Sequence, residues 1–379
     1  MRQIMTVRLA LLVCLLLPVR EASAYTIETS VSCGCHEHAS IEALGTSGYA
    51  SAAPALEGGD RLLFSALDFD VSYVPRDIYA LSLVVGARSN DVGTYPGIDL
   101  SRLVTLHNDP GDQASHCLRA AWEDGEEGDA AAVESCRAFI RAQVALAFDA
   151  DGPDGLPDPS RREPVAVNLM YQGRREVELS AFYYHLGKAL HALQDSFSHC
   201  YRTEDRRSIV EVTNWIDDVS GNLDPVRDGP AHPAAGDDCR CDRAWGGVTY
   251  DASIQASAEL LELASRPEPR SVREASLETF LEQWVAHVPG CTRVNDYCSS
   301  PDPVDLRGDP CSGCSAACGP SRPALGWGLL LVVLAIALAL GTAVGILVPV
   351  LHALPPGRGG DVSLTLCPSP GGLGVSGTF

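Results

Sequence analysis

The sequence predicts an all-α fold, and three observations carry that expectation. In Ala181–Tyr201, Leu186, Leu190, Leu193 and Phe197 recur at spacings of three and four, with no Gly or Pro after Gly187; this is the period of a helix with a buried face. Apolar runs between Arg61 and Arg88 (LLFSAL, IYALSLVVGA) read as helical core. Ala252–Ala264 and Ser276–His287 are amphipathic, the second placing Phe280, Trp284 and Val288 four apart. Ile209–Val219, with Ile209, Val212, Trp215, Ile216 and Val219 turned inward, is read as a further helix.

The central helix also carries the chemistry. Residues four apart on a helix differ by about 40° around its axis, so His191, Asp195 and His199 form one strip. Imidazole nitrogen and carboxylate oxygen are the usual non-thiol ligands of zinc. Burying two His and an Asp among apolar neighbours costs free energy unless a metal or polar partners compensate.

The stretch FYYHLGKALHALQD resembles the central helix of the zinc-dependent phospholipase C family, in which a lead much like FYLG precedes His-x3-Asp and a further His. The resemblance implies a multi-helix domain over residues 25–290 binding up to three zinc ions. One metal would take Asp91, His107, His191 and Asp195. A second would share Asp195 with His38 and the N-terminal amine and carbonyl of the processed chain. A third would take His199, His232 and Asp237 or Asp238. The matching segments are His38-Ala39-Ser40-Ile41 for the first helix, Gly86–Asp91 for the segment whose Asp faces the attacking water, and His107-Asn108-Asp109-Pro110. His116 is the rival of His107, and His36 stands beside His38 as an alternative should the terminus not bind. The family's His-x3-Glu is absent after His232, and the Gln-Pro-x-His that usually follows its helix Asp is replaced by Asp195-Ser196-Phe197-Ser198-His199.

The implied reaction is phosphodiester hydrolysis by zinc-activated water, with Asp91 orienting or deprotonating that water. A phospholipid is the expected substrate. Zinc-dependent single-strand nucleases share the fold and are the second enzyme reading; a non-catalytic, zinc-stabilised extracellular binding module is the third. The formal charge of −21 opposes attraction to a phosphate backbone, so nucleic acid is not the expected partner.

The ends of the chain predict export. Residues 1–24 combine Arg2 and Arg8, an apolar run from Leu9 to Pro18 and Ala22-Ser23-Ala24, the layout of a secretory signal peptide, so the mature chain would start at Tyr25. Residues 291–323 are rich in Cys, Pro and Ser and read as a stalk; residues 324–354 are nearly all apolar and read as a transmembrane helix with the catalytic domain outside; residues 355–379 form a tail. Of the fourteen cysteines, setting aside Cys14 and Cys367 leaves an even set for an oxidising compartment. Cys117 with Cys136 is one bridge the sequence allows without fixing the pairing, around a Glu123–Glu134 stretch read as an acidic surface loop. Asp149–Gly155 reads as a turn, with distorted calcium-loop spacing as its second reading.

Overall fold

The computed structural model describes residues 35–47, 77–92, 109, 111–169, 173–232, 248–300, 363–369 and 372–378. The chain divides into two compact units, Ala22–Ser315 and Met1–Glu21 with Ala316–Phe379. In the larger unit the elements run α1 (Cys35–Thr46), α2 (Ile78–Val92), a 3-10 turn (Gln113–His116), α3 (Gly125–Phe148), β1 (Arg162–Leu169), β2 (Gly173–Ser180), α4 (Ala181–Ser198), β3 (Cys200–Arg202), β4 (Ser208–Val212), α5 (Ile216–Ser220), α6 (Val248–Ala264), α7 (Arg270–Trp284), β5 (Ala286–His287) and a second 3-10 segment (Arg293–Ser299). The smaller unit contains an antiparallel hairpin of β6 (Ser363–Ser369) and β7 (Gly372–Thr378).

The fold is therefore mixed rather than all-α. β1 and β2 form an antiparallel hairpin in which Val165 pairs with Val177 and Val167 with Arg175; Val165 and Val167 are buried while Pro164 is exposed and Ala166 between them only partly buried, the two-residue period of a half-buried strand. β4 sits between β3, antiparallel, and β5, parallel. This replaces the helix expected over Ile209–Val219. Ile209, Val210, Glu211 and Val212 are all buried, so no polar face exists for a helix to turn outward, and β-branched residues suit the pleated geometry. The strand ends at Val212; two residues on, the Asn214 side-chain oxygen accepts from the Asp217 N–H at 3.0 Å, and only α5 remains helical.

Two further boundaries shift. Glu123–Glu134 is not a loop: Ala-rich sequence with Glu126 and Glu127 in the first turn favours a helix N-terminus, and the segment opens α3, burying Asp129, Ala132, Val133 and Cys136. The central helix stops at Ser198 instead of Tyr201, because Cys200–Arg202 pairs with β4. The apolar segment 324–354 lies outside the described residues, and among the described residues no helix is long and apolar enough to cross a membrane.

The Cys117–Cys136 bond that the sequence allows is present, and Cys291–Cys298 forms a second disulfide. Asp149–Gly155 makes the expected turn, with Gly155 at φ +73°; the Asp151 carboxylate there is paired with the Arg273 guanidinium.

α4 is the hub of the larger unit, packing on α2, α3, α6 and α1. Its Leu186, Leu190, Leu193 and Phe197 are fully buried. Where α4 crosses α2, Gly187 meets Gly86: a Cβ on Gly86 would collide with the Tyr184 carbonyl, and one on Gly187 would collide with the Leu83 carbonyl and lie 2.8 Å from the Ala87 nitrogen. Backbone approach at that crossing is what glycine alone permits. Asp77 starts α2 by accepting from the Tyr79 and Ala80 N–H groups at 3.0 and 2.9 Å, an N-cap. Behind α4, buried Arg119 donates to the Val212 carbonyl (3.0 Å) and pairs with Asp129 and with Glu211 (3.2 Å). It ties the chain after the 3-10 turn to α3 and β4. Burial, reinforced by the neighbouring Asp129 charge, pushes the Glu211 carboxyl up to about 8 against the pull of Arg119.

Candidate metal centre

Four elements converge on Asp195. α4 itself brings His191, whose Nε2 lies 2.9 Å from Asp195 Oδ2, and His199, whose Nε2 lies 3.8 Å from Oδ1. α1 brings His36, Nε2 to Oδ1 3.1 Å. The 3-10 turn brings His116, Nδ1 to Oδ2 3.0 Å and to His191 Nε2 3.1 Å. α2 brings Asp91, whose Oδ1 is 3.7 Å from His191 Nε2 and 4.0 Å from His116 Nδ1. Two triads, His36–Asp91–His191 and His116–His191–Asp195, have ligand atoms within 4.8 Å of one another and could hold a metal ion.

Hydrogen bonds on the far side of the rings decide which nitrogen faces the centre. A carbonyl oxygen only accepts, so His191 Nδ1 donates to the Ala87 carbonyl (2.7 Å) and His199 Nδ1 donates to the His116 carbonyl (2.7 Å). Gln194 uses its amide N–H groups on Ser40 Oγ (3.1 Å) and Ser257 Oγ (3.2 Å). Its oxygen is thereby left to accept from His36 Nδ1 at 2.9 Å. With Nδ1 carrying the proton, each Nε2 turns a lone pair toward Asp195. An acceptor facing a carboxylate at these distances repels it unless a cation, a proton or a metal, lies between. The outer hydrogen bonds are those that orient ligating histidines in metal sites.

The charge balance is equally marked. His36, Asp91, His116, His191, Asp195 and His199 are all buried. Burial alone would raise the Asp195 carboxyl, yet His191, His199 and His36 with the His116 hydrogen bond hold it well below the usual carboxylate range. Burial lowers His36, but the Asp195 charge and hydrogen bond, helped by Asp91 and Gln194, carry it up to about 9.

A pH prediction follows for metal-free chain. The raised His36 contributes stability that is full below its unfolded value, about 6.5, and is lost as pH rises through about 9. The depressed Asp195 contributes stability present above about pH 4 and lost on acidification below it. Chelated protein should therefore melt highest between about pH 4 and 6.5 and lower at about pH 9. Zinc should remove the alkaline loss, since it requires the deprotonated ring. Equal melting temperatures of chelated protein at the neutral-acid and alkaline ends would rule out this coupling.

Asp91, His191 and Asp195 thus meet as the sequence suggested. The α1 histidine that reaches Asp195 is His36; His38, half-buried, stands two residues and about 200° further around the helix. His116, the rival of His107, sits beside Asp195 and His191; His107, Tyr25, Asp237 and Asp238 lie outside the described residues. His232 is buried with its ring 4.7 Å from that of His199 and 5.0 Å from that of Trp215, so these two histidines are neighbours at the C-terminal end of the strip. Gln194, Ser40 and Ser257 had no sequence signal beyond the position of Gln194 beside Asp195. Glu37, buried next to His36, accepts from Arg88 at 3.2 Å.

In comparisons with protein-family models, curated proteins and solved structures, the chain matches none.

Proposed function

We propose that this chain is an exported zinc-dependent phosphodiester hydrolase of phospholipase C type, acting on a phospholipid. The observation that carries the reading is the division of labour at Asp195: Oδ1 faces His36 and His199, while Oδ2 faces His116 and His191. A carboxylate offering each oxygen to a different imidazole set has the layout of a bridge between two metal ions. His/Asp donor sets of this kind suit zinc, and paired zinc ions would supply charge to activate water and neutralise a phosphate. Asp91, near both His116 and His191, is the group placed to hold or accept a proton beside that centre. The Ala87 and His116 carbonyls and Gln194 keep the rings in the ligating tautomer. The two disulfides fit an oxidising, extracytoplasmic setting.

A second reading is favoured by one specific observation: His36, His116, His191, Asp195 and His199 are wholly inaccessible to solvent. A closed centre of this kind would serve as a structural staple in a binding module.

Metal analysis of the purified full-length chain, paired with turnover of a phospholipid and of a soluble chromogenic phosphodiester, separates the two. The hydrolase reading expects two or more zinc ions per chain and zinc-dependent release of the phosphorylated headgroup. A single tightly held zinc with no turnover of either substrate would leave the staple.

A further inference from the structure

We propose that Lys188 is the anion-recognition residue of this site, pairing its ammonium with a non-esterified phosphate oxygen of the substrate. The proposal deepens the phosphodiester reading above and rests on it.

Lys188 is the chain's single lysine among 28 Lys and Arg residues, all the others being arginine. The arginines that enter the interior are consumed by the fold. Arg202 donates to the carbonyls of Ser196, Arg206, Arg207 and Trp284. Arg273 donates to the Ala264 carbonyl and pairs with Asp151. Arg119 is held by Asp129 and Glu211. Lys188 differs: half-buried on α4, its ammonium makes no ion pair or hydrogen bond among the described residues and lies 6.0 Å from the centroid of the Tyr184 ring. Asp112 and Glu163 act on it only as more distant charges, and burial, the largest influence, lowers its pKa. A partly dehydrated cation without a close partner is costly for a fold and useful for a ligand.

Position gives the ligand its class. At about 100° per residue, Lys188 lies roughly 60° around α4 from His191 and 20° from Asp195, about 4.5 and 10.5 Å back along the axis. Tyr184, His185 and Lys188 are partly exposed where His191, Asp195 and His199 are buried, so exposure falls along α4 toward the candidate centre. Two contacts fix that outer end. Asn90, the residue before Asp91, donates to the Lys188 carbonyl (3.3 Å) and to the Ser115 carbonyl (3.4 Å), the residue before His116. Asp112, one of the charges acting on Lys188, directly precedes the 3-10 turn that carries His116. The Lys188 backbone lies one helical turn before His191 and its ammonium leans outward toward Tyr184, so an anion held there would stand at the solvent end of the strip.

One lysine makes the test direct. Reductive methylation of the full-length, zinc-loaded chain with 13C-formaldehyde labels Lys188 and the α-amine, which resonate apart. Titration with inorganic phosphate should move the Lys188 signal saturably. Lys188→Met, which keeps the aliphatic stem, should weaken phosphate binding by about ten- to a hundred-fold, the range of a charge-assisted contact. Lys188→Arg should stay within about three-fold of wild type, and zinc content and melting temperature should hold in both. A stationary Lys188 signal at saturating phosphate, or wild-type affinity in Lys188→Met, overturns the proposal and leaves the stem as packing for Tyr184. Lys188-dependent phosphate binding without phosphodiester turnover would instead retain the anion site and discard the hydrolase reading.

Discussion

Asp195→Asn is expected to cost at least half of the bound zinc and to lower phosphodiester turnover by about a thousand-fold or more, a few kcal/mol of lost stabilisation at a metal-dependent centre. The change is nearly isosteric, and its reason is charge. Asp195 presents Oδ1 to His36 at 3.1 Å and Oδ2 to His191 at 2.9 Å and His116 at 3.0 Å. An Asn amide nitrogen can donate to the imidazole lone pairs on one side of residue 195, and rings on the side of its oxygen must carry the proton themselves, so the fold is expected to survive. It cannot offer anionic oxygen to two cations at once. The same variant should lose the alkaline destabilisation of chelated protein, because His36 is carried up to about 9 chiefly by the Asp195 carboxylate working against burial. Plasma emission analysis of zinc, alongside turnover and the pH dependence of melting, checks all three consequences. Undiminished zinc in Asp195→Asn would remove the centre from α4.

Gly187→Ala is expected to destabilise the larger unit by about 1–3 kcal/mol or more and to weaken zinc binding although it removes no ligand. The added methyl group would collide with the Leu83 carbonyl and sit 2.8 Å from the Ala87 nitrogen. Both are backbone atoms of α2, which can yield only if the two helices separate. Separation pulls the Ala87 carbonyl from His191 Nδ1, now 2.7 Å away, and carries Asp91 from His191. Gly45→Ala is the matched control: it lies in α1 with nothing within 4 Å of the added carbon, and a helical Gly→Ala change in open space is neutral or mildly stabilising. Urea denaturation of both variants with and without zinc measures the difference. A Gly187→Ala chain as stable as the Gly45→Ala chain would contradict the helix crossing described here.

These two variants mark where the sequence was readable and where it was not. The strip His191, Asp195 and His199 was legible because helical period is a local property, and apolar residues around it announced burial. Ile209–Val212 misled for the opposite reason: a strand buried on both faces has no polar alternation, and a short apolar run followed by Trp215 and Ile216 mimics helical spacing. The acidic run before Val133 misled because charge at a helix N-terminus looks like charge in a loop.

By itself the sequence determined the candidate ligand types, their spacing on α4, and the helices that close the larger unit; the Cys117–Cys136 pairing, which the sequence allowed, was decided by the fold. Tertiary structure decided which distant histidines complete the set. His36 and not His38 reaches Asp195, because α1 turns one of them about 200° from the other. His116 reaches it because the chain after the 3-10 turn is held by the disulfide, by Arg119 and by the His116 carbonyl that accepts from His199. Only the folded chain could show that Gly86 and Gly187 face each other, or that Gln194 holds the His36 ring. Period and composition are written along one segment, whereas reach to a common atom depends on how separate segments pack.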